Sequence, residues 1–253
     1  MHATTIDDVI SRLDTIADRA AVTGTRDGYF AALYAQVTRG VRLRARQGWF
    51  ADGPFMEQLD VVFANRYFDA HEAWQDGRKP PRSWGVAFAG AARADLCVLQ
   101  HLMLGMNAHI NFDLGPAVVD ATPGGAIEAH QADFARVNDI LLTMLPRVQA
   151  ALDAVSPMLL VVDRLGQHCD GAVAGFSMKV ARGEAWHAAE DIVRSPDRAL
   201  AVDRLDRRVA LLARGIADPF PPFGAAFQVV RATEDQSDVA RILRLIRAVE
   251  LDG

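Results

Sequence analysis

The chain has 253 residues, 51% of them hydrophobic and 23% charged, with a formal net charge of −5. That composition suits a soluble globular protein with a continuous core and excludes extensive disorder. The acidic balance argues against a nucleic-acid partner, which requires clustered positive charge to neutralise phosphates.

Thr4 or Thr5 caps a first helix whose apolar face carries Ile6, Val9, Ile10, Leu13 and Ile16, with Asp7 and Asp8 favoured in its first turn by the helix dipole. A second helix is predicted from about Arg26 to Gln47, and a third from Pro54 to Gln75, after the turn Gly48–Gly53. Asp76–Ser83 reads as a loop, and a fourth helix starts near Trp84 and runs on through Gln100–Leu114 until Gly115-Pro116 ends or kinks it. Asp113 then lies in a last turn, facing the negative end of the helix dipole.

Thr122–Gly125 breaks the chain before a long helix, Ala126–Val155, that Pro146 kinks. Ser156-Pro157 opens the next helix, and Gly166–Gly171 separates it from one containing Phe176, Val180, Trp186 and Ile192. Ser195-Pro196-Asp197 launches a helix to about Ile216. A linker near 217–223 precedes a short apolar segment and a last helix, Ser237–Glu250. Sustained strand alternation is absent apart from short runs such as Gln228-Val229-Val230. The expected architecture is all-α: a single-domain irregular bundle of roughly eight to ten helices spanning residues 1–253.

The N-terminus lacks the basic and apolar regions of a secretory signal, and the longest uncharged run, Leu96–Phe112, is shorter than the roughly 20 residues of a membrane span. Cys97 and Cys169 are too few for a disulfide framework and read as buried thiols. These features predict a cytoplasmic protein with no membrane partner and leave a homo-oligomer open. The Arg clusters Arg39–Arg46 and Arg204–Arg208 read as solvated faces.

His101, Gly105, His109 and Asp113 recur every fourth residue, so a helix places them in one stripe along an otherwise apolar rod. The spacing of His109 and Asp113 suits two ligands of one metal ion, or a carboxylate that orients an imidazole as general base. It equally suits a satisfied buried histidine. Asn107 and Asn111 are poor helix formers whose amides need buried partners or a ligand. If the next helix returns antiparallel, His130 and Asp133 approach the pair, and four side chains complete a divalent site. Glu184-x-x-His187 has the spacing of a di-iron motif, but its second copy is missing. Trp49, Trp74, Trp84 and Trp186 read as core or pocket walls.

Four blocks carry a family resemblance: Phe63-Ala64-Asn65-Arg66-Tyr67-Phe68, Gly105 to Leu114, His130-x-x-Asp133-Phe134-x-Arg136-Val137-Asn138, and Ala181-Arg182-x-x-Ala185-Trp186. Between about residues 25 and 195 the chain resembles the bacterial domain-of-unknown-function family 5995. The resemblance implies location rather than chemistry, with Asn107, His109, Asn111, Asp113, His130 and Asp133 as motif positions and His71 and His101 outside them. A weaker similarity is to the all-α zinc-dependent phospholipase C and P1-nuclease group, whose Gly-Asp-x-x-Gln-Pro block is absent here.

The sequence therefore predicts a small-molecule enzyme with a pocket between helices. His109 is its base or a ligand, Asp113 orients or co-ligates it, and Asn107, Asn111, Arg66 and Tyr67 hold the substrate. In the metal version a divalent ion on His109, Asp113, His130 and Asp133 assists hydrolysis. The rival is a non-enzymatic helical ligand-binding or scaffold protein whose polar stripe fixes helix register.

Overall fold

Local signals set the helix starts. Thr5 accepts from the Asp8 N–H at 3.1 Å while the Asp8 carboxylate accepts from the Thr5 N–H at 2.9 Å, a reciprocal cap that opens α1 (Ile6–Thr23). Asp52 accepts from the Phe55 N–H to open α3 (Gly53–Gln75), which follows α2 (Gly28–Arg46). The computed structural model describes residues 2–124, 126–156, 158 and 178–249. The helix expected after Ser156-Pro157, the 166–171 separator, Phe176 and Cys169 lie outside the described residues.

The fourth predicted helix is two elements. α4 (Arg82–Ala91) stops at a turn over residues 92–97, and a new helix, α5 (Val98–Met106), starts with its Val98 N–H held by the buried Glu234 carboxylate. The chain then widens into a π-helical turn, Asn107–Asp113, and continues as α6 (Leu114–Ala121). Gly115-Pro116 thus neither ends the rod nor leaves Asp113 at a terminus. Pro116 sits in the first turn of α6, directly after the wider π turn, where its missing N–H and bulky ring are tolerated.

A short 3-10 turn (Ile127–His130) leads into α7 (Gln131–Val155), followed by α8 (Met178–Arg194) and α9 (Arg198–Ala217), which Asp197 caps. α10 (Phe223–Thr233) takes up the short apolar segment, including Gln228-Val229-Val230, and α11 (Val239–Arg247) closes the described chain. Counting α5, the π turn and α6 as one rod, the described residues form ten helices and no strand. The protein is an all-α, single-domain irregular bundle.

The rod is its axis. Leu102, Leu104, Ala108, Phe112, Leu114, Ala117 and Val118 are all buried, as expected of a helix that is apolar on every side. Each buried leucine contributes about 1.5–3 kcal/mol relative to exposure. The rod packs against α2, α3, α4, α8 and α9. Gly105 permits the closest approach, because a Cβ there would come within 2.5 Å of the Phe30 ring. α11 belongs to the same body: Ile242, Leu243 and Ile246 bury with Ala17 and Ala20 of α1 and Leu33 of α2.

Candidate functional site

The π turn coincides with the stretch Asn107–Asp113. A π turn holds more residues than the 3.6 of an α turn, so side chains four apart come closer into line along the axis. Two such pairs form here. Asn111 Nδ2 donates to Asn107 Oδ1 at 3.0 Å, and His109 Nδ1 lies 3.4 Å from Asp113 Oδ2. A carboxylate only accepts, so the proton of His109 belongs on Nδ1 and Nε2 keeps its lone pair.

Asp113 is anchored from outside the rod. The Trp84 indole Nε1–H donates to its Oδ2 at 2.8 Å, and Arg66 Nε lies 3.7 Å from its Oδ1. Trp84 is itself placed by α9: Asp206 accepts from the Arg82 N–H, the Ser83 N–H and the Ser83 hydroxyl at 2.8–2.9 Å, capping α4. Nothing local in the sequence pairs Trp84 with a residue 29 positions on.

His109 is 2% exposed and enclosed by rings. Phe63 stacks flat on it at 3.5 Å and 10°, Tyr34 lies at 4.3 Å, and Phe30, Trp84 and Tyr67 stand at 5.4, 6.2 and 6.3 Å between centroids. Burial pushes the imidazole below its ordinary pKa, and the Asp113 carboxylate only partly offsets this, so the ring is neutral at pH 7. Among the described residues, His109 Nε2 has no hydrogen-bond partner.

A second buried acid stands beside these rings. Asp60 lies one turn before Phe63 on the buried face of α3, its Oδ2 has no partner, and burial, with the Glu57 charge, pushes its carboxyl up to about 8. Burial, then the charges of Asp60 and Asp113, hold the Tyr34 hydroxyl well above its usual range. The buried Thr38 hydroxyl lies beside that of Tyr34. Asp60 was legible in principle: an aspartate at a core position between Met56 and Phe63 needs the same explanation as His109.

The structure brings His109 and Asp113 together and sets Arg66 and Tyr67 beside them, but not His130 and Asp133. The α6 segment carries the chain about 12 Å beyond Asp113 before it turns. His130 stacks on Phe55 at 3.5 Å and lies 3.7 Å from Asp52, near the surface. Asp133 accepts from the Ala51 and Asp52 N–H groups at 3.0 and 2.7 Å, tying α7 to the turn before α3. The four-ligand divalent site is therefore not assembled, and among the described residues no three His, Cys, Asp or Glu side chains are grouped to hold a metal ion.

The other candidates have structural partners. Asn107 Nδ2 donates to the Val209 carbonyl of α9 at 3.1 Å, and Asn111 donates to Asn107, so this pair ties the rod to α9. Arg66 forms its shorter ion pair, 3.0 Å, with Asp120. Tyr67 presents its ring to His109, while its buried hydroxyl has no partner among the described residues. His187 pairs weakly with Glu184 on an exposed face. Cys97 is a buried free thiol.

A cavity of about 20 Å³ lies not at His109 but behind Phe30, Tyr67 and Trp84, where its lining includes Asp27 and His101. His101 stands two turns before His109 on the polar stripe. In the structure its ring is buried against the Leu96 backbone, and burial pushes its pKa down to about 3.

A family of unknown function (DUF5995) matches residues 6–219. The chain belongs to this family. The match takes in the π turn, Trp84, Asp60 and the α9 segment that caps α4, and it ends in the linker before α10. No curated protein and no solved structure matches the chain. Among the described residues, no helix is long and apolar enough to cross a membrane.

Proposed function

We propose that this family member is a small-molecule enzyme in which His109 Nε2 acts as a general base and Asp113 orients the ring. One observation carries the reading. A neutral, buried imidazole has Nδ1 committed to a carboxylate that Trp84 pins, while its other nitrogen remains unspent. A carboxylate that fixes tautomer and ring plane is how imidazole bases are held for proton transfer. The reaction class is removal of a proton from water or from a substrate, as in hydrolysis of a small ester, without a step through a metal. The ring-lined surroundings favour a compact, largely apolar substrate, which reaches Nε2 only when a ring of the enclosing wall swings. A small-molecule partner and a cytoplasmic location belong to the same proposal, supported by the net charge of −5 and the few cysteines.

The test is a panel of small p-nitrophenyl esters and lactones, run beside imidazole NMR of His109. The proposal expects turnover of at least one compound, lowered about 100-fold or more in His109→Gln and less in Asp113→Asn, with Nε2 unprotonated at pH 7. No turnover, together with a protonated Nε2, would overturn it.

A second reading is a ligand-binding or scaffold protein whose stripe fixes helix register, and the bond from Asn107 to the Val209 carbonyl favours it for the two asparagines. On that reading His109→Ala loses stability but no activity.

A further inference from the structure

The cavity behind the ring wall has its own chemistry, independent of His109. It lies between the start of α2, α3, α4 and α5, and has room for one water-sized group. Among the described residues, three of its polar side chains carry an atom without a partner: Asp27 Oδ1, the Tyr67 hydroxyl and a ring nitrogen of His101, whose ring also meets the Leu96 backbone. Tyr67 is fully buried and His101 is 6% exposed. A buried polar atom left unpaired has given up its hydration for nothing, so such atoms lining one small space point to a ligand group that meets them.

Their chemistry selects the ligand. Asp27 Oδ1 only accepts, while its other carboxylate oxygen lies 3.5 Å from His71 Nε2, which aims the group. His101 is neutral, so one of its nitrogens offers a lone pair. The Tyr67 oxygen offers another. Around these acceptors stand the rings of Phe30, Trp84 and Phe88, with Trp84 5.6 Å from Phe30 and 5.2 Å from Phe88 between centroids. A primary ammonium has three N–H donors and no acceptor, and it is drawn to aromatic faces. An anion would meet the bare Asp27 oxygen. The cationic lining residue, Arg26, donates its Nε–H to Gln236 Oε1 at 3.0 Å.

We propose that this cavity is an ammonium-binding site that takes the head of a primary amine, its carbon stem leading out toward the partly exposed Arg26 and Ala91. Asp27 supplies the counter-charge, Tyr67 and His101 supply the remaining acceptors, and the rings supply the walls.

The test uses the full chain, titrated with methylammonium chloride at constant ionic strength. Sodium chloride and sodium acetate are the controls, and the His101 ring and Trp84 indole NMR signals are followed. Saturable shifts are expected with methylammonium alone. Asp27→Asn should weaken binding about tenfold or more, and Tyr67→Phe, which keeps the ring, about fivefold. Saturation by acetate, an equal response to sodium, or no saturable shift would each overturn the proposal. If Asp27→Asn does not fold, the wild-type titration and Tyr67→Phe decide the matter.

Discussion

Two histidines lie flat on phenylalanines of α3 at the same 3.5 Å: His109 on Phe63 and His130 on Phe55. Each has an aspartate nearby, at 3.4 Å for His109 and 3.7 Å for His130. In sequence both belong to family-like blocks. Their surroundings differ. The His109 ring and Asp113 are out of water and held by Trp84, whereas the His130 side chain is 19% exposed and its neighbour Asp52 is about half exposed. A ring stack and a nearby carboxylate therefore do not by themselves set where a histidine's proton sits. Desolvation and a carboxylate fixed by a third group do, because both change the energy of the proton on the ring.

The largest expected effect that separates the two regions is Asp113→Ala. It leaves the Trp84 indole N–H and the His109 ring without their acceptor in the core, and should cost about 3–5 kcal/mol in urea unfolding. Asp60→Asn sharpens the contrast through pH. The folded carboxyl titrates near 8 and the unfolded one near 3.8, so the folded state binds the extra proton between these values. The stability contributed by the proton is complete below about pH 4 and is lost as pH rises to about 8. His101, pushed down to about 3, acts in the opposite sense, losing stability as pH falls below 6.5. Between pH 6.5 and 8, of these two groups only the Asp60 slope remains. Wild type should lose about 2 kcal/mol over that interval, and Asp60→Asn should show no such loss.

On the other side of the comparison the effects are smaller. Asp133→Ala removes the acceptor of two backbone N–H groups before α3 and should cost about 1 kcal/mol, without moving the His109 NMR signals. His130→Ala should change stability by about 0.5 kcal/mol or less, since it loses a single partly solvated stack. A cost for either that matches Asp113→Ala would erase the distinction.

Much of the helical frame was legible because its causes are local. Thr5 with Asp8 marks a helix start by hydrogen bonds within one turn, and the chain uses it; Asp52 and Asp197 cap α3 and α9 by the same local bond, one at a turn read only for its glycines and proline and the other two residues after Ser195. The pairing of His109 with Asp113 was legible for the same reason. The break between α4 and α5 was not, because the α5 N-terminus is held by Glu234, 136 residues away. The proposed meeting of His130 with Asp113 assumed that Pro116 ends the helix, and the π turn removed that stop.

The sequence by itself determined an all-α chain, most helix limits and the polar stripe that carries His109 and Asp113, since backbone capping and side chains four apart act over a few ångströms of contiguous chain. Only the tertiary structure decided which polar groups are dry. Trp84 reaches Asp113, Asp206 holds Trp84 in place, and Asp60 and His101 are buried by helices remote in the chain. Desolvation is a property of everything packed around a group, so no local pattern in the sequence can express it.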